Sequence, residues 1–112
     1  MRLVLLGHLL VLVAASAAGQ TLRGAVLESG TRVPVPGAAV ILRAAGDSAG
    51  REVLSDSAGL FRFARVGAGS YTVAVRALGY GGAAVDTLRL TGQPVFLEIQ
   101  LRPSPIALER LE

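Results

Sequence analysis

A seven-stranded antiparallel β-sandwich with Greek-key connections is the fold this chain predicts, and three features predict it. Seven short apolar runs, several with a clear period-2 alternation, follow one another at intervals of roughly ten residues. Each is bounded by Gly, Pro, Ser or Asp, and beyond the first 19 residues no run carries a helical repeat. A length of 112 residues allows one domain, and 14 Gly with 4% aromatic residues suit a compact all-β module with many turns.

The first 19 residues have a different character. Met1-Arg2, the apolar run Leu3 to Val13 and the small residues Ala14 to Gly19 form the three regions of a secretory signal peptide, so residues 1–19 are expected to be removed and the mature chain to begin near Gln20. The apolar run falls short of the roughly 20 residues a spanning helix needs, and Gly7 and His8 interrupt it. No membrane span is therefore expected after cleavage. The chain has no Cys, which excludes a lipid anchor through a thiol, a disulfide and a thiolate metal site. An exported domain of about 93 residues must then be held by its core alone.

The strand-like runs are Thr21 to Leu27, Ala38 to Arg43, Arg51 to Ser55, Leu60 to Arg65, Ser70 to Leu78, Ala84 to Leu90 and Val95 to Arg102. In the first two, Val26, Val40 and Leu42 are assigned to the interior, with Gly37 in the turn before the second. The third leads into Asp56-Ser57-Ala58-Gly59, a type I turn in which Asp56 accepts a backbone N–H two residues on and Gly59 supplies positive φ. In the fourth, Phe61 and Phe63 fall on one face, with Leu60, Arg62 and Ala64 on the other. Gly67 and Gly69 then permit a second tight reversal, after which Tyr71, Val73 and Val75 alternate with Thr72, Ala74 and Arg76. The sequence thus reads as two consecutive hairpins whose strands, side by side, offer one apolar face to a second sheet. Gly79 and Tyr80 close this stretch, the ring of Tyr80 packing over the sandwich edge and its hydroxyl reaching backbone. The last run is the clearest: Val95, Leu97, Ile99 and Leu101 point one way, Phe96, Glu98, Gln100 and Arg102 the other. Phe96 is the one aromatic facing outward by parity, and it reads first as an ordinary scattered exposed residue and only second as a partner contact. Residues 103–112 begin with Pro103-Ser104-Pro105, a stiff extended linker. Ile106 to Glu112 form either a flexible tail or the start of a following domain.

Reaction chemistry finds little to work with. His8, the sole histidine, lies in the leader, so the mature domain has no imidazole for a triad, a general base or a zinc site. Asp47, Glu52, Asp56 and Asp86 are the carboxylates available for an acid/base pair or a calcium site. Calcium takes about six to eight oxygens, and there is neither an Asp-rich loop nor any Asn. Asp56 is assigned to turn capping. With neither Lys nor Asn, an isopeptide crosslink cannot form. No catalytic, cofactor-binding or metal-binding residue is predicted. All eleven basic residues are Arg, and the ten of the mature chain face eight Asp and Glu, a net charge of +2. Arg43, Arg51, Arg62, Arg76, Arg89 and Arg102 are spread over different strands as solvated outward positions, without the clustered charge and stacking aromatics of nucleic-acid binding. Glycan binding finds no Trp platform here.

The ordered set Gly24-Ala25-Val26, Val33 to Val40, Asp56 through Phe63, Gly69-Ser70-Tyr71, Gly79-Tyr80 and Leu97 to Leu101 resembles the carboxypeptidase regulatory-like domain across Thr21 to Arg102. The resemblance implies a transthyretin-like (prealbumin-like) sandwich over residues 20–102 acting as a non-catalytic accessory module of an exported bacterial protein. Such modules accompany metallocarboxypeptidases, glycan-active enzymes or the N-terminus of TonB-dependent outer-membrane receptors. A leader running straight into the module, followed by a Pro-containing linker, looks like the receptor arrangement. It implies a periplasmic or outer-membrane location and a protein partner in the envelope, such as a following plug and barrel. The alternatives are a stand-alone carbohydrate-binding-like module with a glycan ligand, and the regulatory domain of a secreted metallocarboxypeptidase. Calcium titration of the purified chain is expected to leave its melting temperature unchanged; a dose-dependent rise would return a metal role to the carboxylates.

Overall fold

The computed structural model describes residues 19–104; the predicted leader up to Ala18 and the tail from Pro105 onward lie outside the described residues. Seven strands are present among them: β1 (Gln20–Glu28), β2 (Ala39–Ala44), β3 (Arg51–Leu54), β4 (Leu60–Val66), β5 (Gly69–Arg76), β6 (Ala83–Leu90) and β7 (Val95–Leu101). They form a three-stranded sheet in the order β4-β1-β7 and a four-stranded sheet in the order β3-β2-β5-β6. The sandwich follows the predicted class with one refinement. Every pairing is antiparallel except that of β1 with β7, where the first and last strands run parallel from Leu22↔Val95 to Glu28↔Leu101.

The stretch from Ser55 to Tyr80 departs from the hairpin expectation. β3 and β4 lie in different sheets, as do β4 and β5, so both reversals are corners that carry the chain from one layer to the other. β4 takes its ladder from β1, and β5 from β2 and β6. The apolar faces of β4 and β5 therefore meet across the interior instead of lying side by side.

The first corner is built by Asp56, whose Oδ1 accepts the amides of Ala58 and Leu60 at 2.9 Å each, while Gly59 at φ +78° donates to the Asp56 carbonyl. The second corner is tied by the Tyr71 hydroxyl, which donates to the carbonyl of Gly67 at 2.7 Å. Its left-handed residues are Gly69 and Arg65 (φ +57°), not Gly67. Arg65 occupies a bulge: Leu22 pairs with Phe63, but Gln20 pairs with Val66. The extra residue reverses the strand's parity, turning Arg65 outward and Val66 into the core.

Leu22, Val26, Val40, Leu42, Phe61, Phe63, Val73, Val75, Ile99 and Leu101 are all buried, with Tyr71 and Leu97 half-buried against them. Val35, Ala38, Val66 and Leu90 complete the interior. Phe61 and Phe63 meet edge to face, their centroids 6.1 Å apart. Gly24, midway along the central strand of the smaller sheet, faces this interior. A β-carbon there would run into the Phe61 ring and the Leu97 carbonyl, so the absence of a side chain is what lets Phe61 lie across β1. Among the described residues one polar side chain is buried with this core: Ser55 Oγ donates to the Val35 carbonyl at 2.7 Å and accepts the Ala38 amide at 2.9 Å. It stitches the loop before β2 to the end of β3.

Two side chains pin the flanks of the sandwich. On one side Arg51, from β3, donates to the Ala64 carbonyl of β4 at 2.7 Å, its guanidinium 5.6 Å from the Phe63 ring centroid. Arg51 is thus engaged rather than merely solvated. On the other side the Gln20 carboxamide donates to the Gln93 carbonyl and accepts the Gly92 amide, holding the β6–β7 turn. Pro103 and Ser104, read as the start of a linker, are held as well. Pro103 forms a bridge with Tyr80, and the Ser104 amide donates to the Gly79 carbonyl at 2.9 Å.

Substituting Gly24→Ala is expected to lower stability by about 1–3 kcal/mol, the usual cost of overpacking. Chemical denaturation of Gly24→Ala, Phe61→Leu and the double variant checks it. A double variant that recovers part of the loss identifies the ring as the obstacle, whereas a neutral Gly24→Ala removes the constraint.

Candidate interaction face

Exposed apolar and charged groups gather on the outer side of the three-stranded sheet, while two further exposed apolar residues, Val33 and Leu78, lie in loops. The register of that sheet sets Arg23 opposite Arg62 of β4 on one side and Phe96 of β7 on the other, so the three side chains form a row across it. The next row is Leu60, Ala25 and Glu98. Val26 donates its amide to the Gly59 carbonyl, so β1 residues of even number bond to β4, and Arg23↔Arg62 is a pair without mutual backbone bonds, the arrangement that brings side chains closest.

Phe96 is 61% exposed, Leu60 45% and Leu54, at the end of β3, 64%. With Arg23 and Arg62 they line an open groove of about 610 Å³. Across Phe96 lies a second hollow of about 400 Å³, bordered by Gln20, Thr21, Gly92 and Pro94. Arg23 and Phe96 line both, so Phe96 stands as a ridge between them.

The carboxylates on this side are already occupied. Asp56 holds its own turn, as above, and Glu98 is gripped by Arg32 through two bonds, Nη1 to Oε1 at 3.1 Å and Nη2 to Oε2 at 2.7 Å. Arg32 reaches Glu98 from a left-handed position (φ +62°) in the turn after β1. Arg32 Nη2 with Glu98 is the one ion pair among the described residues. It raises the Arg32 guanidinium pKa and lowers the Glu98 carboxyl below its ordinary value, chiefly through the hydrogen bonds and then by charge attraction.

Of the remaining predicted turn residues, Gly59 adjoins Leu60 on this face and the others do not line its groove. Gly37, Gly59, Gly69 and Gly79 all have positive φ. Tyr80 is half-buried, but its hydroxyl donates to the Glu28 carboxylate at 3.2 Å rather than to backbone. Burial, then the Glu28 charge and hydrogen bond, raise the Tyr80 pKa. Asp47 Oδ1 accepts the Ala49 amide in a local turn. Among the described residues no three carboxylate, histidine or cysteine side chains gather as a metal site requires. Guanidinium, phenyl and leucine side chains can bind anions and apolar groups, and the carboxylate that lines the groove with them, Asp56, is tied by Oδ1 to its own turn.

Residues 21–102 match the carboxypeptidase regulatory-like domain. The chain belongs to that family. No curated relative matches it. Among solved structures, the domain is similar to a candidate carbohydrate-binding protein from Bacteroides uniformis (TM-score 0.64, 18% identity, over 75% of this chain and 41% of that one). It is also similar to the major pilin subunit of Bacillus cereus (0.61, 13%, 75% and 30%) and to the 5-hydroxyisourate hydrolase of Klebsiella pneumoniae (0.60, 20%, 76% and 92%). The chain spans less than half of the first two. At these identities the likeness is one of fold, the transthyretin-like sandwich. Phe96 was legible as an outward aromatic, whereas Arg23, Leu54, Leu60 and Arg62 are brought to it only by the pairing of β1 with both neighbours.

Because the folded state lowers the Glu98 carboxyl, the Arg32–Glu98 contribution is present above the ordinary carboxylate range and is lost as pH falls through the folded value. The stability of the parent chain should therefore exceed that of Glu98→Gln at neutral pH and converge with it in acid. Denaturation midpoints measured across that range check this, and a gap that persists in acid would mean the pair is not its source.

Proposed function

We propose that the chain is a non-catalytic interaction module of an exported cell-envelope protein, and that it is the N-terminal domain, or a piece, of a TonB-dependent outer-membrane receptor. The observation that carries the reading is the face formed by Arg23, Arg62 and Phe96, with Leu54 and Leu60, on a domain of this family. It is a surface with the aromatic and arginine chemistry of protein contacts, and the carboxylate that lines it, Asp56, is tied by Oδ1 to its own turn. The sequence order supports the receptor context: a leader of secretory character, the module, then a Pro-containing segment. The fold is shared with a hydrolase, but fold alone does not transfer an activity. The carbohydrate-binding-like alternative draws on the Bacteroides neighbour, yet a single exposed ring flanked by Leu54 and Leu60 makes a small stacking platform for a sugar.

The test joins gene and cell. The reading frame beyond Glu112 is expected to continue into a plug and barrel, and the product to fractionate with the envelope with a mature N-terminus near Gln20. A frame leading into a peptidase selects the regulatory-domain alternative. A product retaining Met1 in the cytoplasm, or peptide hydrolysis by the purified chain, overturns the module reading.

A further inference from the structure

We propose that the outer face of the β4-β1-β7 sheet docks a protein segment in which carboxylates alternate with apolar side chains, the carboxylates on Arg23 and Arg62 and the apolar groups on Phe96, Leu54 and Leu60. The proposal rests on the module reading above and names the chemistry of its partner.

Charge complementarity is the first argument. Like charges directly opposite on a sheet destabilise it, and Arg23 and Arg62 occupy the closest kind of cross-strand pair. Among the described residues neither has a salt-bridge partner. Two carboxylates on this side have partners of their own, Asp56 Oδ1 holding the amides of Ala58 and Leu60 and Glu98 paired with Arg32. The face thus presents two guanidiniums whose repulsion an incoming carboxylate would relieve, each matched in shape to a bidentate carboxylate.

The apolar surroundings specify what must carry that carboxylate. Phe96, Leu54 and Leu60 are each about half exposed or more and border the same groove as the arginines. A glycan is less well matched, because Phe96 is the one exposed ring on this face and Leu54 and Leu60 beside it offer hydroxyls no partner. A second copy of the chain would bring the same positive charges. An acidic, apolar-bearing peptide satisfies both halves of the surface.

Docking on the face, rather than as an added strand beside β4, follows from the state of that edge. Leu60 has its amide bonded to Asp56 Oδ1 and its carbonyl to the Asp56 amide, and the Ala64 carbonyl is taken by Arg51. Arg62, between them, is left too little continuous edge for a ladder.

Fluorescence anisotropy of the mature chain with a short fluorescein-labelled peptide of alternating Glu and Leu tests this, with Lys-Leu and Gln-Leu peptides and oligogalacturonate as comparison arms. Saturable binding of the Glu-Leu probe is expected, weakened by added salt and roughly tenfold weaker in each of Arg23→Ala, Arg62→Ala and Phe96→Ala. Arg62→Ala should do this while keeping or raising the melting temperature, because it relieves the repulsion; a merely structural role would lower it. Absence of binding, equal binding of the Lys-Leu probe, indifference to all three substitutions, or preference for oligogalacturonate each overturns the proposal. Mass spectrometry of the same samples separates the two levels: intact peptide without binding sinks this inference alone, whereas cleaved peptide sinks the module reading beneath it.

Discussion

Both faces of the smaller sheet are set by the placement of β1, which is flanked by β4 running against it and β7 running with it. The residues of β1 alternate strictly, Leu22, Gly24 and Val26 toward the other sheet and Arg23 away from it. With Gly24 beneath it, Phe61 crosses the strand and reaches the shared interior. The same register that puts Phe61 beside Gly24 puts Arg62 beside Arg23, and the parallel pairing that sets Leu97 beside Gly24 sets Phe96 beside Arg23. A slip of one residue would move the Phe61 contact and dismantle the outer row together. Core and candidate site are therefore two consequences of one register.

Local pattern was readable, and layer assignment was not. Alternation alone places Phe61, Phe63, Val73, Val75, Ile99 and Leu101 inside and Phe96 outside, because a strand with one buried face has only two sides to choose from. Val66 escapes that logic because the bulge at Arg65 changes the parity within the strand, and a register shift in the β5–β6 pairing does the same between Val85 and Leu88. The turn chemistry of Asp56 and Gly59 is satisfied equally by a hairpin and by a corner between layers, since both reverse the chain over the same few residues. Only the long-range choice of β1 as partner for β4 decides between them. The gathering of Arg23, Arg62 and Phe96 is less readable still, for it needs a parallel pairing between strands separated by most of the chain.

Three of the four sheet edges are ill suited to an added strand. β3 has only four residues, and Arg51 spends its side chain tying that strand to β4. β4 is blocked at Leu60 and Ala64. β6 carries an irregular register, and such irregularity disfavours a further strand. Beyond the end of β7, the Arg102 carbonyl accepts the Gly81 amide and Pro103 bridges to Tyr80, which fastens this segment to the turn before β6. Devices of this kind suit a cysteine-free domain of modest size, where unprotected edges would invite association.

Arg23 and Arg62 are what stability alone would not choose. An outward cross-strand pair in a half-exposed sheet gains most from β-branched, aromatic or oppositely charged residues, and Glu98 with Arg32 shows that this chain does place opposite charges together nearby. Phe96, exposed on the adjacent strand, is a second and independent departure, because a ring in water forgoes the burial that every other aromatic of the sandwich at least partly achieves. Scattered departures of either kind are ordinary on a protein surface. Two that share one row of one sheet, beside carboxylates already engaged elsewhere, have a common explanation in a partner that neutralises the charges and covers the ring.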